Sequence, residues 1–155
     1  MGERSPINDT NARGTFIGAT MDTKRSDFTL AVLEGVAFAV KDMFVIAQSL
    51  GINIEKSKLC GGGAKSPLWR RIIASVLDIK LEILKSEQGP GMGAAMLAMV
   101  AAGEYPDVKA ACDSIVEVAD VVEPDPRLAE LYSKRYEQFR IIYPALKETF
   151  KVISK

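Results

Sequence analysis

The sequence contains no histidine among its 155 residues. This absence excludes histidine as a general base, as the activator of a nucleophile and as a metal ligand. Cysteine is scarce as well, because Cys60 and Cys112 are the only two and lie far apart in the chain. Such a pair favours two separate, buried thiols over a disulfide or a metal site. The sequence therefore predicts no metal-ligand residues. Asp9, Asp22 and Asp27 are carboxylates without a matching motif, and we assign none of them a catalytic role.

An excess of charge is also missing. Lys plus Arg and Asp plus Glu both number 20, so the net charge is zero and no basic cluster favours nucleic acid. The longest uncharged run, residues 89–103, is rich in glycine and too short to span a bilayer. No secretory hydrophobic segment begins the chain. We expect a cytoplasmic protein without nucleic-acid or membrane partners.

The order of predicted elements indicates an α/β fold. An apolar content of 48% in 155 residues is enough for the core of one domain. Ser26 is expected to cap the first long helix, and Pro144 to kink or restart the last one. Helices are predicted over residues 26–50, 67–77, 91–102, 107–114 and from 127 onwards, and strands over 15–17, 58–61, 80–84 and 115–122.

Alternating strands and helices predict a parallel or mixed sheet flanked by helices. The sheet is incomplete, because only three or four short strands accompany at least four helices. The helix over residues 26–50 is apolar on most sides, and Gly35 in its middle suggests close packing against another backbone. The chain is therefore expected to be part of a larger assembly.

A glycine turn is the most informative segment. Gly61, Gly62 and Gly63 allow positive φ and the close approach of a flat or anionic ligand. Ser66 stands at an N-cap position and Pro67 at the first helical position. A helix that begins after such a turn offers N–H groups and a positive dipole end to a nucleotide. The segment is either a ligand-binding turn or a tight connection without a ligand.

Two phosphate-binding motifs can be tested directly. The Walker A loop is excluded, because Ala64 separates Gly63 from Lys65. Residues 89–94 match the dinucleotide pattern G-x-G-x-x-A after a strand and before a helix, with Asp113 or Glu117 as the acidic residue. Dinucleotide binding is therefore an alternative hypothesis.

The chain resembles the C-terminal domain of the FGGY carbohydrate kinases, most closely those that act on xylulose. The resemblance runs through nearly the whole chain, and it is the order of several short motifs that makes it specific. These motifs are Ser5-Pro6 with Asn8-Asp9, Ala12-Arg13-Gly14, Gly18, Leu33-Glu34-Gly35-Val36-Ala37-Phe38, Gly61-Gly62-Gly63-Ala64-Lys65-Ser66-Pro67-Leu68-Trp69, Gly93-Ala94-Ala95, Val122-Glu123-Pro124 and Tyr143-Pro144-Ala145-Leu146.

This resemblance implies an actin-like, ribonuclease-H-like ATPase domain with a partial mixed sheet. It implies that residues 1–155 form a single ATP-binding lobe, and that the N-terminal sugar-binding lobe, which carries the catalytic base, is absent from this chain. The family role implied for Gly62 and Gly63 is close approach to the adenine and ribose of ATP or ADP, with Ser66 as a polar contact. Trp69 is expected to pack behind the turn as ordinary core. Mg²⁺ accompanies the nucleotide without ligands identifiable here.

The implied function is transfer of the ATP γ-phosphate to a ketose hydroxyl, with D-xylulose as the expected acceptor. The chain alone is expected to be inactive, because half a nucleotide site cannot support phosphoryl transfer. The alternative is a detached, non-catalytic oligomerisation module whose nucleotide turn is vestigial. Under either hypothesis, the expected partners of the chain are the missing lobe, the sugar substrate in the full-length enzyme and, through open apolar faces, a second copy in a homodimer.

Overall fold

A three-stranded mixed sheet organises the part of the chain that the computed structural model describes, residues 2–86 and 89–154. Helices pack against one face of this sheet, and the two longest are the first and the last helix of the described chain. In order, the elements are α1 (Arg25–Ser49), β1 (Lys56–Leu59), a 3-10 turn (Gly62–Lys65), α2 (Pro67–Leu77), β2 (Lys80–Leu84), α3 (Gly89–Ala101), α4 (Val108–Ile115), β3 (Val118–Val122) and α5 (Pro126–Ile153).

β2 is the central strand. It pairs in parallel with β1, where Leu59 stands opposite Ile83, and antiparallel with β3, where Leu81 stands opposite Val122. Because β1 and β2 run in the same direction, their carboxyl ends meet at one edge of the sheet. β3 runs the other way, so its amino end lies at that edge too.

The core lies between β2 and helices α1, α2 and α5. Helix α2 is buried at five consecutive positions, 72–76, so it is enclosed on all sides over this stretch. Leu81 and Ile83 of β2 face it and are almost fully buried. The other core residues are Ala37, Phe38, Ile72, Ile73, Ala74, Val76, Ile79, Tyr132 and Tyr136.

Polar contacts join α1 to α5 around this core. The carboxylate of Glu34 accepts two hydrogen bonds of 2.9 Å from Arg135. The hydroxyl of Tyr136 donates to Asp42 at 2.5 Å. Burial, with the negative charge of Glu34 nearby, raises the pKa of Tyr132 to about 12. Burial, together with the hydrogen bond to Asp42, also raises the pKa of Tyr136, so both tyrosines stay neutral at physiological pH.

The structure confirms most predicted helices and corrects several details. α2 and β2 have the predicted bounds, and α1 differs from its prediction by one residue at each end. Ser26 does not cap α1: the N-cap is Lys24, whose N–H donates to the Asp27 carboxylate at 2.8 Å. Helix α5 runs through Pro144 as one element, so the predicted restart there is wrong.

Two strand predictions also need correction. β1 begins and ends two residues earlier than predicted, because its pairing with β2 ends at Leu59 and Gly61 turns out of the strand with φ +90°. Residues 15–17 are irregular; Phe16 and Ile17 are more than half exposed, and Phe16 packs edge-on against Phe28 instead of joining the sheet.

Within residues 2–86 and 89–154, none of the helices combines the length and the apolar character needed to cross a membrane.

Candidate functional site

The glycine turn (residues 61–66) lies at the sheet edge where β1 and β2 end. Gly61 leaves β1 with φ +90°, a conformation that glycine adopts without a Cβ penalty. The neighbouring end of β2 is joined to β3, since the N–H of Lys85 donates to the Glu117 carbonyl at 3.0 Å and the two side chains pair at 2.6 Å. Because the turn directly follows β1, it projects from the sheet edge at which the carboxyl ends of β1 and β2 meet. Open α/β sheets commonly bind ligands at this edge, which we call the carboxyl edge.

A short 3-10 ladder gives the turn its shape. The N–H of Ala64 donates to the Gly61 carbonyl at 3.0 Å, and that of Ser66 donates to the Gly63 carbonyl at 3.1 Å. Ala64 is only 2% exposed and anchors the turn in the core, whereas the three glycines are exposed. One side of the turn is thus fixed inside the protein and the other faces outwards.

The three glycines have different physical roles. Of the three, all of which the structure describes, only Gly61 has positive φ. A Cβ on Gly63 would lie 2.8 Å from Nε1 of Trp69, so this glycine makes room for the indole behind it. A Cβ on Gly62 would meet nothing within 4 Å. A ligand can therefore approach the backbone closely at Gly62, whereas the space behind Gly63 is occupied by the Trp69 side chain.

Ser66 is the N-cap of α2, as predicted, and its Oγ accepts a 3.3 Å hydrogen bond from the N–H of Trp69. Pro67 has no N–H, and the N–H of Arg70 donates to the Ser66 carbonyl at 3.0 Å. These helix-start donors are used within the chain, so the predicted attraction of an anion to this end is reduced. The Ser66 hydroxyl proton can still be donated to a ligand.

Sequence analysis missed Arg70 beneath the turn. Its Nε donates to the Ala64 carbonyl, and Nη1 lies 3.6 Å from the Asp120 carboxylate on β3. Arg70 and Asp120 are 50 positions apart, and neither belongs to a motif that would have paired them. The thiol of Cys60, directly before the turn, is exposed, so the prediction that it is buried is wrong; Cys112 is partly buried.

The second glycine cluster does not form a dinucleotide site. Its residues begin α3, but the next strand, β3, is antiparallel to β2, so the βαβ unit that the fingerprint requires is not formed. The two candidate acidic residues are engaged elsewhere: Asp113 pairs with Lys109, and Glu117 pairs with Lys85. The alternative hypothesis of dinucleotide binding is therefore wrong.

A cavity of about 790 Å³ lies at the same sheet edge, between β2 and the α3–α4 pair. Its lining contains no residue of the glycine turn, and consists of Leu84, Lys85, Ser86, Met92, Ile115, Val116 and Glu117. Gly62, Gly63 and Ser66 are thus brought together by the turn itself and not by a shared pocket. In the described ranges, no group of three or more acidic or cysteine side chains could hold a metal ion.

Known proteins match this chain in sequence and in structure. The xylulose kinase of Staphylococcus epidermidis is 33% identical over 147 residues, which are 95% of this chain and 30% of that protein. Two solved structures from Lactobacillus acidophilus, a ligand-bound xylulose kinase and a gluconate kinase, each superimpose with a TM-score of 0.85 at 29% identity. Both matches cover 98% of this chain and 31% of the solved one.

The fold is therefore that of the actin-like ATPases, in the form found in sugar kinases. The sequence profile of the FGGY family of carbohydrate kinases, C-terminal domain, matches residues 1–102. The chain belongs to this family, as the sequence motifs indicated. It spans about 30% of the length of the curated relatives that it matches.

Proposed function

We propose that this chain is the ATP-binding C-terminal lobe of a sugar kinase that transfers the γ-phosphate of ATP to a ketose hydroxyl. Family membership supports the reaction class. D-xylulose is the proposed acceptor, because several relatives that match most of the chain bear the name xylulose kinase. The sugar-contacting residues are expected on the N-terminal lobe, so the geometry of this chain does not favour one sugar over another.

The observation that carries the proposal is the open outer face of the glycine turn at the carboxyl edge of the sheet. In our proposal, Gly62 and Gly63 lie against the adenine and ribose, and Ser66 donates a hydrogen bond from its hydroxyl. A nucleobase can lie flat on the turn because Gly62 has no side chain and the space beyond it is open. The buried Ala64 and the indole of Trp69 support the turn from behind.

The remaining chemistry is assigned to other parts of the kinase. Kinases of this family use ATP or ADP, generally with Mg²⁺. Phosphoryl transfer depends on in-line positioning and on electrostatic stabilisation of the phosphates. The described residues form no acidic cluster that fits Mg²⁺, so we propose that the metal is held by the nucleotide phosphates and the N-terminal lobe. The base is placed on that lobe too, and this chain alone is inactive.

An ADP titration tests the site. Trp69 is the only tryptophan of the chain and lies behind the turn, so its fluorescence reports on the turn directly. Calorimetry and fluorescence should both detect weak ADP binding in the wild type. Gly62→Val should abolish it by filling the open face, since Gly62 has no positive φ and a Cβ there meets no neighbour.

Gly14→Val is the matched control, because Gly14 shares both properties and lies in the N-terminal loop. Equal ADP affinity in Gly62→Val and the wild type would contradict the nucleotide site. An unchanged Gly14→Val with a weakened Gly62→Val would support it.

A second candidate function is favoured by the exposed surface of α1. Val32, Val36, Met43 and Ile46 lie along one side of this helix and are 44–50% exposed. Here the chain would be a non-catalytic interaction module that forms a homodimer, and its nucleotide turn would be vestigial. Failure of the wild-type chain to bind ADP, together with a stable dimer, would favour this function over the first.

A further inference from the structure

Arg70 contacts two parts of the molecule that are far apart in sequence. It stands in the first turn of α2, and its side chain reaches back so that Nε donates to the carbonyl oxygen of Ala64 in the glycine turn. Nη1 of the same guanidinium lies 3.6 Å from Oδ2 of Asp120 on β3. The Arg70 side chain is 21% exposed, against 60% for that of Asp120. Arg70 thus lies mostly beneath the turn, and its charge is balanced from the sheet.

The carbonyl of Ala64 needs a donor from outside the backbone ladder. In the 3-10 turn each carbonyl is served by the N–H three residues later, and the last such bond runs from Ser66 to Gly63. The next donor would belong to residue 67, which is a proline without an N–H. Ser66 has ψ 115°, so the chain has also left the helical conformation there. A buried carbonyl without a donor is costly, and Arg70 supplies the missing hydrogen bond.

We propose that Arg70 is a positioning residue of the nucleotide turn and that Asp120 orients it. By holding the Ala64 carbonyl, Arg70 fixes the end of the turn from which Ser66 and α2 continue. This keeps Gly62 and Ser66 in the geometry that an adenine nucleoside would meet. The inference rests on the proposed nucleotide-binding function, and it assigns Arg70 no contact with the nucleotide.

Arginine is suited to this task by its shape. Its planar guanidinium directs Nε and Nη donors to two acceptors at the same time. Lysine keeps the charge but has a methylene group at the position of Nε, so it cannot reproduce the bond to Ala64 from the same place. Glutamine loses the charge, yet its amide nitrogen is as many bonds from Cα as Nε. The two substitutions therefore separate the hydrogen bond from the charge.

The test is a calorimetric titration with ADP of the 155-residue chain and three variants. In Arg70→Lys, we expect the turn to be correctly formed for only about a tenth of the time. The dissociation constant should then rise about tenfold, because only that fraction of the chain can bind ADP. Arg70→Gln should raise it only about two- to threefold, since it retains a donor for Ala64.

Arg71→Lys is the matched control. Arg71 is the next residue of the same helix, its side chain is 59% exposed, and it pairs with Asp125 at 2.6 Å, away from the turn. Its ADP affinity should equal that of the wild type. Asp120→Asn provides a further variant that leaves Arg70 in place, and it should weaken binding in the same direction as Arg70→Gln.

Hydrogen exchange at the amides of Ala64 and Ser66 provides a readout without nucleotide. Both amides donate within the turn, so they should exchange faster in Arg70→Lys while the amides of α5 stay protected as in the wild type. A uniform loss of protection throughout the chain would overturn the inference, because it would show global destabilisation rather than positioning of the turn.

The outcomes separate the two proposals. Equal dissociation constants for the wild type and Arg70→Lys would overturn the role of Arg70 and leave the nucleotide site standing. Arg70→Gln binding as weakly as Arg70→Lys, or more weakly, would also overturn it, because charge and not the hydrogen bond would then matter. No ADP binding by the wild type would contradict the proposed function, and with it any role of Arg70 in binding the nucleotide.

Discussion

The indole of Trp69 lies directly against Gly63, so close that a Cβ on this glycine would be 2.8 Å from Nε1 and 2.9 Å from Cδ1. Two flat groups, a peptide and an aromatic ring, are therefore in contact on the inner side of the glycine turn. Gly63 is needed for this internal packing whether or not a nucleotide binds on the outer side. A substitution at Gly63 consequently reports on the fold of the turn before it reports on the ligand.

Gly63→Ala should destabilise the chain, and Gly62→Ala should not. The extra methyl group at 63 forces the indole or the turn to move, and such overpacking typically costs about 1–3 kcal/mol. At Gly62 the methyl group meets open space, so the change should be neutral or slightly stabilising, because alanine restricts the unfolded chain. Urea unfolding of both variants measures the difference. Equal free energies of unfolding would contradict the contact between Gly63 and Trp69.

The isolated chain should phosphorylate no sugar at a measurable rate. The proposed base lies on the N-terminal lobe, and a general base alone typically contributes 10²–10⁴-fold to the rate. Missing electrostatic stabilisation of the phosphates lowers the rate further. A coupled assay that measures ADP release with D-xylulose tests this, with a full-length xylulose kinase as the positive control. Formation of xylulose 5-phosphate by the purified chain would contradict the division of labour between lobes.

ADP should protect Cys60 from alkylation. This thiol is exposed and directly precedes Gly61, so a nucleotide on the turn would restrict access to it. Cys112 is partly buried in α4 and serves as the reference thiol within the same molecule. Mass spectrometry of iodoacetamide-treated chain, with and without ADP, measures both sites. Protection of Cys112 to the same degree would indicate a general effect of ADP and not occupation of the turn.

The apolar side of α1 should drive self-association. Val36 is 49% exposed in a helix whose opposite side packs in the core at Ala37 and Phe38. Val36→Glu should therefore convert a homodimer to a monomer, because a charge in an apolar interface is strongly unfavourable. Light scattering over a concentration series measures the mass. Ile141→Glu is the control, since Ile141 is 68% exposed on α5; a wild type that stays monomeric throughout would exclude the dimer.

Elements whose bounds are set by neighbouring residues could be predicted from the sequence, whereas features that depend on contacts between distant segments could not. The start of α2 was predictable because Ser66 and Pro67 favour a helix start without help from the rest of the chain. The strand predicted over residues 15–17 failed, because apolar residues there indicate a strand only if a neighbouring strand is present to pair with them. The contact between Arg70 and Asp120 depends on how β3 returns beside β2, which no local pattern encodes.

The consecutive burial of α2 has a consequence for how variants of this chain should be assessed. Pro67 joins the glycine turn rigidly to the helix whose residues 72–76 are enclosed in the core. Buried helical segments such as residues 72–76 open only when the whole domain unfolds, whereas the exposed turn can open locally. A substitution far from the turn that destabilises the core would therefore lower the fraction of folded chain. A binding assay alone would report this loss as a weaker affinity for the ligand. The fraction of folded protein and the dissociation constant for the nucleotide therefore have to be measured on the same sample before a residue is assigned a role in nucleotide recognition.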